Sequence, residues 1–330
     1  LFRSLPMKEE EIRPQDIFDE YLRLCEIDSR EYFSQASAIK IPCPACGANG
    51  AHSFEKKGFS YEVCPDCDTL FASPRPPFEA FMSYYRDSPS TRYWAEVFYP
   101  VTAEARKEKL WKPKAHLIKD FLNSFPAREV ILDIGGGFGV FAEVATEIIK
   151  VPVAVIEPSV HLAQSCREKG FEVIEKPLEE VCISEVPQGP RCFVSFELFE
   201  HLHDPRRFLK SLHGLMEPGD CLVMTTLSAA GLDILVLWER AKAVFPPHHL
   251  NFFTPDSIRG LMREIGFVQV DVQTPGKLDL SILQNHLHEI EDRFWSFYLS
   301  RASEQSLDRM QEILVQEKMS SHMMIFGAKE

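Results

Sequence analysis

Apolar and polar positions alternate in a long series of short segments between residues 129 and 272. Short apolar runs, rich in valine and isoleucine, are followed by stretches in which apolar residues recur every three or four positions. The first pattern predicts buried strands and the second amphipathic helices. The predicted strands are 129–134, 151–156, 171–175, 191–196, 221–226 and 267–272, and the predicted helices are 140–149, 159–168, 205–216 and 255–265. Strands that alternate with helices indicate a parallel sheet covered by helices on both faces.

The segments outside this series have other patterns and divide the chain. Proline-rich "SPRPP" at 73–77 marks a linker, and the segment behind it is rich in aromatic residues. The predicted units are a helical extension at 1–40, a cysteine-bounded unit at 41–72, a helical aromatic connector at 73–115 and the alternating domain at 116–330. Within that domain we expect a helical insertion at about 276–319 and a last strand at 321–329.

Composition narrows the class of protein. The 330 residues carry a formal net charge of -13, which argues against a nucleic-acid partner and favours a small-molecule one. No apolar stretch is long enough for a membrane helix, and the start of the chain lacks the apolar core of a signal peptide. We therefore expect a cytoplasmic protein without a membrane partner, whose 9 cysteines are reduced thiols or metal ligands.

Two C-x-x-C pairs define the cysteine-bounded unit. They are Cys43 with Cys46 in "CPACG" and Cys64 with Cys67 in "CPDCD". This spacing predicts a zinc ribbon in which four thiolates surround one ion, with iron in a rubredoxin-like site as the alternative. A site closed by four protein ligands has no open position for water, so we expect the metal to be structural.

A glycine-rich turn follows the first predicted strand of the alternating domain, in "VILDIGGGFGVF". Its glycines are Gly135, Gly136, Gly137 and Gly139. A dinucleotide fingerprint starting at Gly135 needs glycine where Val140 stands, and a P-loop needs a lysine that is absent. Asp133, directly before the turn, would repel a phosphate but suits a cationic or amino-bearing ligand.

The segment "LDIGGGFG" closely resembles the first motif of class I S-adenosylmethionine-dependent methyltransferases. The resemblance implies S-adenosylmethionine as cofactor and an α/β, Rossmann-like sheet of seven strands whose last strand is antiparallel. Glu157 in "VAVIEPS" stands where the family has its ribose-binding acid, at about the 20-residue interval expected. Further cofactor contacts are expected from Pro158, Glu175, Phe196, Tyr93, Trp94 and Arg106.

The fourth strand is followed by "SFELFEHLHDP", which resembles the same segment of small-molecule methyltransferases. Ligands bind at the carboxyl ends of such strands, so Glu197, Glu200 and His201 are candidate catalytic residues. A histidine beside a carboxylate can accept a proton from the acceptor. The spacing also resembles quinone-biosynthesis O-methyltransferases, in which such a cluster is associated with a divalent metal. The alternative is that Glu200 caps a helix and His201 packs structurally.

A second histidine pair, His248 and His249, lies in "FPPHHLNFFTP". In related methyltransferases this loop lines the substrate cleft, so both are candidate catalytic residues; the alternative is that they pack the loop.

Together these features predict methyl transfer to a hydroxyl or carbon of a sugar, polyketide or quinone-like metabolite. A ribbon joined to such a domain resembles sugar C-methyltransferases. The alternatives are a zinc-ribbon RNA methyltransferase, which the ribbon's few lysines disfavour, and a non-catalytic cofactor-binding interaction protein.

Overall fold

The computed structural model describes residues 9–34 and 37–330, so the predicted helical extension is outside the described residues at 1–8 and 35–36. The strands are β1 (Ala51–Lys56), β2 (Phe59–Val63), β3 (Leu70–Ala72), β4 (Val130–Ile134), β5 (Val153–Ile156), β6 (Glu172–Ile174), β7 (Arg191–Ser195), β8 (Cys221–Leu227), β9 (Asn251–Phe252), β10 (Val268–Gln273) and β11 (His322–Ala328). The α-helices are α1 (Glu9–Ile12), α2 (Gln15–Phe33), α3 (Phe78–Asp87), α4 (Pro89–Tyr93), α5 (Tyr99–Arg106), α6 (Lys112–Leu122), α7 (Val140–Ile148), α8 (Val160–Glu168), α9 (Pro205–Leu215), α10 (Leu232–Leu237), α11 (Pro255–Ile265), α12 (Asp279–Asn285), α13 (Arg293–Leu299) and α14 (Glu304–Gln316).

Seven strands form the main sheet of the described chain, in the order β10-β11-β8-β7-β4-β5-β6. Adjacent strands from β6 to β8 are parallel, and β11 is antiparallel to both β8 and β10. This topology confirms the predicted fold class, including the antiparallel last strand. The predicted strands and helices of the alternating series are also present, with ends that differ by a residue or two.

Strand β4 shows why the sheet is covered on both faces. All five of its residues are buried. Val130, Leu132 and Ile134 pack in one core cluster with residues of α9 and α11, whereas Ile131 packs in another with residues of α6 and α7. Because successive strand residues point to opposite faces, each face of β4 is apolar except at Asp133.

A second, four-stranded sheet has the order β1-β2-β3-β9. Strands β1 to β3 belong to the cysteine-bounded unit, whereas β9 comes from the loop that follows α10 of the main domain. Leu70 pairs with Phe252 and Phe71 with Asn251 in an antiparallel register. The small unit and the main domain therefore share one sheet.

Helical segments surround this frame. The aromatic connector contains α3, α4 and α5. A π-helical turn at Trp94–Phe98 joins α4 to α5, and a second at Lys107–Trp111 joins α5 to α6. Three helices, α12 to α14, lie between β10 and β11. Among the described residues, no helix has both the length and the apolar character that a bilayer crossing requires.

Candidate functional site

The glycine loop joins β4 to α7 at the carboxyl edge of the parallel strands. Gly135, Gly137 and Gly139 have positive φ angles of 71°, 57° and 72°, which glycine adopts without steric cost. Gly136 has an ordinary φ, but a Cβ at that position would lie 2.7 Å from Cγ1 of Val155. The loop therefore requires glycine for both its conformation and its close packing on β5.

Two buried acids lie against this loop. The Asp133 carboxylate is 2 % exposed, and its Oδ2 atom accepts no hydrogen bond from the described residues. Burial, and then the charge of Glu157, raise the pKa of Asp133 to about 7. The Glu157 carboxylate accepts hydrogen bonds from the Gly137 and Ser159 amides at 3.0 and 2.9 Å, although burial still raises its pKa.

The other predicted cofactor residues have diverse surroundings. Pro158 is exposed beside Glu157, and Glu175 forms a 2.6 Å ion pair with Arg167. Phe196 is buried with its ring 4.6 Å from that of Phe141 on α7. The structure thus brings Phe196 to the helix that follows the glycine loop, while Glu175 has a cationic partner on α8.

The connector brings a residue to the loop that the sequence reasoning missed. The Tyr99 ring stacks on Phe138 of the glycine loop, with centroids 4.5 Å apart. The predicted residues of this segment make other ring contacts: Trp94 stacks on Phe98 at 4.4 Å and the Arg106 guanidinium lies over Trp94, while Tyr93 packs against a cluster that includes residues of α2. The spacing of the aromatic residues along the connector does not show which of their rings faces the glycine loop.

Glu197, two residues after the end of β7, has a φ of 52°, a left-handed conformation that is uncommon for a residue with a side chain. Its Oε1 accepts hydrogen bonds from Lys114 Nζ at 2.7 Å and Thr225 Oγ1 at 2.9 Å, and lies 3.5 Å from His322 Nε2. Burial alone would raise the pKa of Glu197. The positive charges of Lys114 and His322 have the larger effect and hold that pKa well below its usual range. Lys114 was not predicted, because a lysine in a helix is ordinarily a solvent-exposed residue.

Glu200, His201 and His249 form a compact cluster beside Glu197. Glu200 is 1 % exposed and accepts a hydrogen bond from Thr226 at 2.9 Å, while the rings of His201 and His249 are 4.8 Å apart. Burial and the charge of Glu197 raise the pKa of Glu200 to about 8, and burial lowers that of His201. The ligand atoms of the three residues lie within 4.8 Å of one another, so His249 rather than Glu197 completes a set that could hold a divalent cation.

The tautomer of His249 follows from one hydrogen bond. Its Nδ1 atom lies 2.6 Å from the Ala243 carbonyl oxygen, which can only accept. Nδ1 therefore carries the proton, and Nε2 keeps a lone pair. Burial lowers the pKa of His249 to about 4, which keeps the ring neutral near pH 7.

His248 faces a different set of side chains. Its Nε2 atom lies 2.9 Å from the Tyr21 hydroxyl, 2.8 Å from that of Tyr84 and 3.6 Å from the Cys25 sulfur. The Tyr85 ring lies 5.6 Å away, and its buried hydroxyl has no partner among the residues that the structure describes. Tyr21 and Cys25 belong to α2, a segment in which the sequence carried no recognisable motif.

The four cysteines of the two C-x-x-C pairs lie together. Sulfur-to-sulfur distances are 3.6 Å for Cys43 and Cys67, 3.4 Å for Cys46 and Cys64, and 3.6 Å for Cys46 and Cys67. Four sulfurs bound tetrahedrally to zinc at about 2.3 Å would lie about 3.8 Å apart. The arrangement therefore matches the size of a four-thiolate metal site.

Comparison with protein families gives a match to a methyltransferase domain over residues 104–272, just over half of the chain. The chain belongs to this methyltransferase-domain family. The match includes the glycine loop, both buried acids and all five candidate catalytic residues. The family membership predicted from the glycine motif is thereby confirmed. Residues of the ribbon and of α2 lie outside the match.

Individual relatives of this methyltransferase-family chain are distant. It is 24% identical over 156 residues to a ubiquinone biosynthesis O-methyltransferase of Ruegeria pomeroyi. The aligned segment covers 43% of this chain and 60% of that protein. An S-adenosylmethionine-dependent methyltransferase of Archaeoglobus fulgidus aligns at 17% identity, covering 65% of this chain and 94% of that one, with a TM-score of 0.41. The plantazolicin methyltransferase BamL, solved with a triazolic desmethylPZN analog and S-adenosylhomocysteine, aligns at 16% identity, covering 75% of this chain and 93% of that one, with a TM-score of 0.49.

Proposed function

We propose that the protein transfers a methyl group from S-adenosylmethionine to a hydroxyl or carbon of a small metabolite. The observation that carries this proposal is a juxtaposition at one edge of the main sheet. A glycine loop with two buried acids lies at the ends of β4 and β5, and an imidazole with an accepting Nε2 lies beside the end of β7. A donor loop and a proton acceptor at one sheet edge are the two parts that such a transfer needs.

The residues around the glycine loop fit this cofactor. Asp133 offers a buried oxygen that accepts no hydrogen bond from the described residues, and a Cβ on Gly136 would lie 3.1 Å from that oxygen. Asp133 would accept a hydrogen bond from the methionine ammonium, Glu157 would accept from the ribose hydroxyls, and the Tyr99 and Phe138 rings would flank the cofactor. S-adenosylmethionine, when bound, supplies a methyl group on a positively charged sulfur.

His249 is the residue we assign as general base. Its Nδ1 is held by the Ala243 carbonyl, so Nε2 can take the proton that an acceptor hydroxyl or carbon acid loses. Glu200 and His201 border the same space, while the Tyr21 and Tyr84 hydroxyls fix His248. The name of the Ruegeria pomeroyi relative supports a small acceptor with a phenol-like hydroxyl.

We further propose that the cysteine cluster holds a structural zinc ion. The sulfur spacing supports this assignment, and Cys43 and Cys64 are buried while Cys46 is exposed at the surface of the unit. All four ligand positions would be protein thiolates, so the metal would stabilise the ribbon and not take part in the reaction.

Methyl transfer can be tested with a deuterated methyl donor. The zinc-loaded protein is first titrated with S-adenosylhomocysteine in a calorimeter, and then incubated with trideuteromethyl S-adenosylmethionine and a panel of sugars, phenols, quinols and total RNA. Mass spectrometry should find the label in a small molecule. Label in RNA would overturn the proposal of a small-molecule acceptor. If the protein does not bind S-adenosylhomocysteine, the proposal of methyl transfer is itself overturned. Binding without any transfer would support a non-catalytic protein.

The role of His249 has a sharper test. His249→Gln should lower the turnover of the acceptor found in the screen by about 100-fold or more, because the proton acceptor is lost. His213→Gln is the matched control, since His213 on α9 packs against Phe267 and does not belong to the cluster of Glu200, His201 and His249. Affinity for S-adenosylhomocysteine should be the same in both variants. Equal turnover in the two variants would contradict the assignment.

A further inference from the structure

Arg75 lies in the proline-rich linker and is fully buried, with 0 % exposure. Its guanidinium donates three hydrogen bonds: from Nε to the Ala72 carbonyl at 3.0 Å, from Nη1 to the His203 carbonyl at 2.7 Å and from Nη2 to Asn251 Oδ1 at 3.0 Å. No carboxylate of the described residues forms an ion pair with it. A buried arginine whose hydrogen-bond partners are all neutral is unusual, because buried charges are ordinarily paired.

Two of the three partners of Arg75, His203 and Asn251, lie close in sequence to the candidate catalytic residues, and the third, Ala72, ends β3. His203 follows Glu200 and His201 on one loop, and Asn251 follows His248 and His249 on the other. Asn251 also donates from Nδ2 to the Leu202 carbonyl at 2.7 Å. The guanidinium and the Asn251 amide thus form one polar bridge between the loops.

The same region ties the histidine loop to the ribbon. Leu250 donates to the Glu200 carbonyl at 2.8 Å and accepts from the Ala72 amide at 2.8 Å, while the Tyr61 hydroxyl donates to the His249 carbonyl at 2.7 Å. Thr254 Oγ1 donates to the carbonyl of Cys67, one of the four clustered cysteines, at 3.3 Å. The segment around His249 therefore forms hydrogen bonds with Ala72, Tyr61 and Cys67, which lie outside the family match.

We propose that Arg75 is a positioning residue, which fixes the loop of Glu200 and His201 relative to the loop of His248 and His249. This inference rests on the proposed function, because it gives those loops their chemical role. Arg75 does not touch the reacting atoms. It acts through main-chain carbonyls and Asn251. Through Arg75, the linker at 73–77 would thus help to set the geometry of the proposed active site.

The planar guanidinium explains why arginine occupies this position. Its donors point in fixed, divergent directions within one plane and can satisfy three separate acceptors. An ammonium on a lysine stem places its donors around a single nitrogen and cannot span the same acceptors. Arg75→Lys therefore keeps the charge but loses the bridge, and Arg75→Met removes both.

The test uses the zinc-loaded chain of 330 residues and a matched buried arginine. Arg191, 1 % exposed, is paired with Asp220 at the opposite edge of the sheet and touches neither loop. Arg75→Lys should lower kcat for the acceptor about 100-fold, the effect of a displacement of about 1 Å at a reacting group, and leave the Kd of S-adenosylhomocysteine within twofold. Arg191→Lys should lower Tm comparably but leave kcat unchanged. Equal kcat effects in both variants would overturn the proposal.

A readout independent of activity separates this inference from the proposed function. Long-range proton–nitrogen correlation spectra of histidine-labelled protein report the tautomer and environment of His248 and His249. Arg75→Lys should shift both sets of resonances, and Arg191→Lys should not. Shifted resonances in a protein that transfers no methyl group would retain the positioning role and reject the function. Unshifted resonances, with transfer intact in wild type, would reject the positioning role alone.

Discussion

The glycine loop and the histidine cluster lie at the same edge of the main sheet but draw on different lengths of chain. Asp133 lies on β4, Gly137 lies in the turn after β4, and Glu157 directly follows the adjacent strand β5. His248 and His249, in contrast, are held by α2, by the connector and by the ribbon. The proposed donor side is therefore a local unit of the family domain, whereas the histidines of the proposed acceptor side, although inside the family match, are held by Tyr21, Tyr84 and Tyr61 from outside it. This difference predicts that damage to the ribbon will disable acceptor chemistry and spare cofactor binding.

Loss of the thiolate cluster should separate the two sides most strongly, because it should lower turnover far more than cofactor affinity. Cys43→Ser should reduce the zinc content from about one equivalent per chain and lower turnover by about 100-fold or more. Without the metal, β3 would no longer be held in position to pair with β9, which follows the histidine loop. Affinity for S-adenosylhomocysteine should change by less than about threefold, since the glycine loop packs on β5 rather than on the ribbon. Elemental analysis and calorimetry measure both quantities.

Cys182→Ser provides the control for that experiment, because Cys182 is an exposed thiol outside the cluster. It should leave zinc content, turnover and affinity unchanged. If Cys43→Ser loses cofactor affinity in proportion to turnover, the two sides of the site are not separable. If it loses zinc and keeps its turnover, the ribbon does not support the histidine loop.

The opposite separation should follow from Asp133→Asn. The variant removes the charge that would bind the methionine ammonium, and a hydrogen bond between charged groups contributes about 1.5–3 kcal/mol. Affinity for S-adenosylhomocysteine at pH 8 should therefore fall by about 10- to 100-fold, as measured by calorimetry. Turnover at saturating donor should fall far less. Unchanged affinity would contradict the role of Asp133.

The same contrast decides how much the sequence could predict. Asp133, the glycines and Glu157 were found because a strand, a turn and a second strand occur in order and set the spacing of chemical groups. Tyr99, Lys114 and Arg75 were not found, because their contacts depend on which distant segments pack together. The clearest case is Arg75: within "SPRPP" it gives only a linker signal, and the three acceptors that explain it are created by tertiary contacts.

A pH series would sharpen the description of the donor side. Burial and Glu157 place the pKa of Asp133 at about 7, whereas burial raises the pKa of neighbouring Cys166 to about 11 and that of Tyr99 to about 12. Only the carboxylate form of Asp133 pairs with an ammonium, so affinity must rise with pH as Asp133 loses its proton. Its ionised fraction grows from about one tenth at pH 6 to one half at pH 7, which predicts about fivefold tighter binding. Asp133→Asn should flatten this dependence; a persistent slope would assign it to Glu157.

The smallest expected effect concerns the connector, where two aromatic residues have opposite surroundings. Tyr99→Leu removes a ring that stacks on Phe138 of the glycine loop, and should weaken S-adenosylhomocysteine binding about threefold, a typical cost for one aromatic contact. Trp94→Leu is the matched control, since its ring stacks on Phe98 and lies 4.9 Å from Tyr21, beside His248. It should instead raise the KM for the acceptor. Equal loss of cofactor affinity in both variants would mean that Trp94 contacts the cofactor, as the sequence predicted, and that the connector serves both sides of the site.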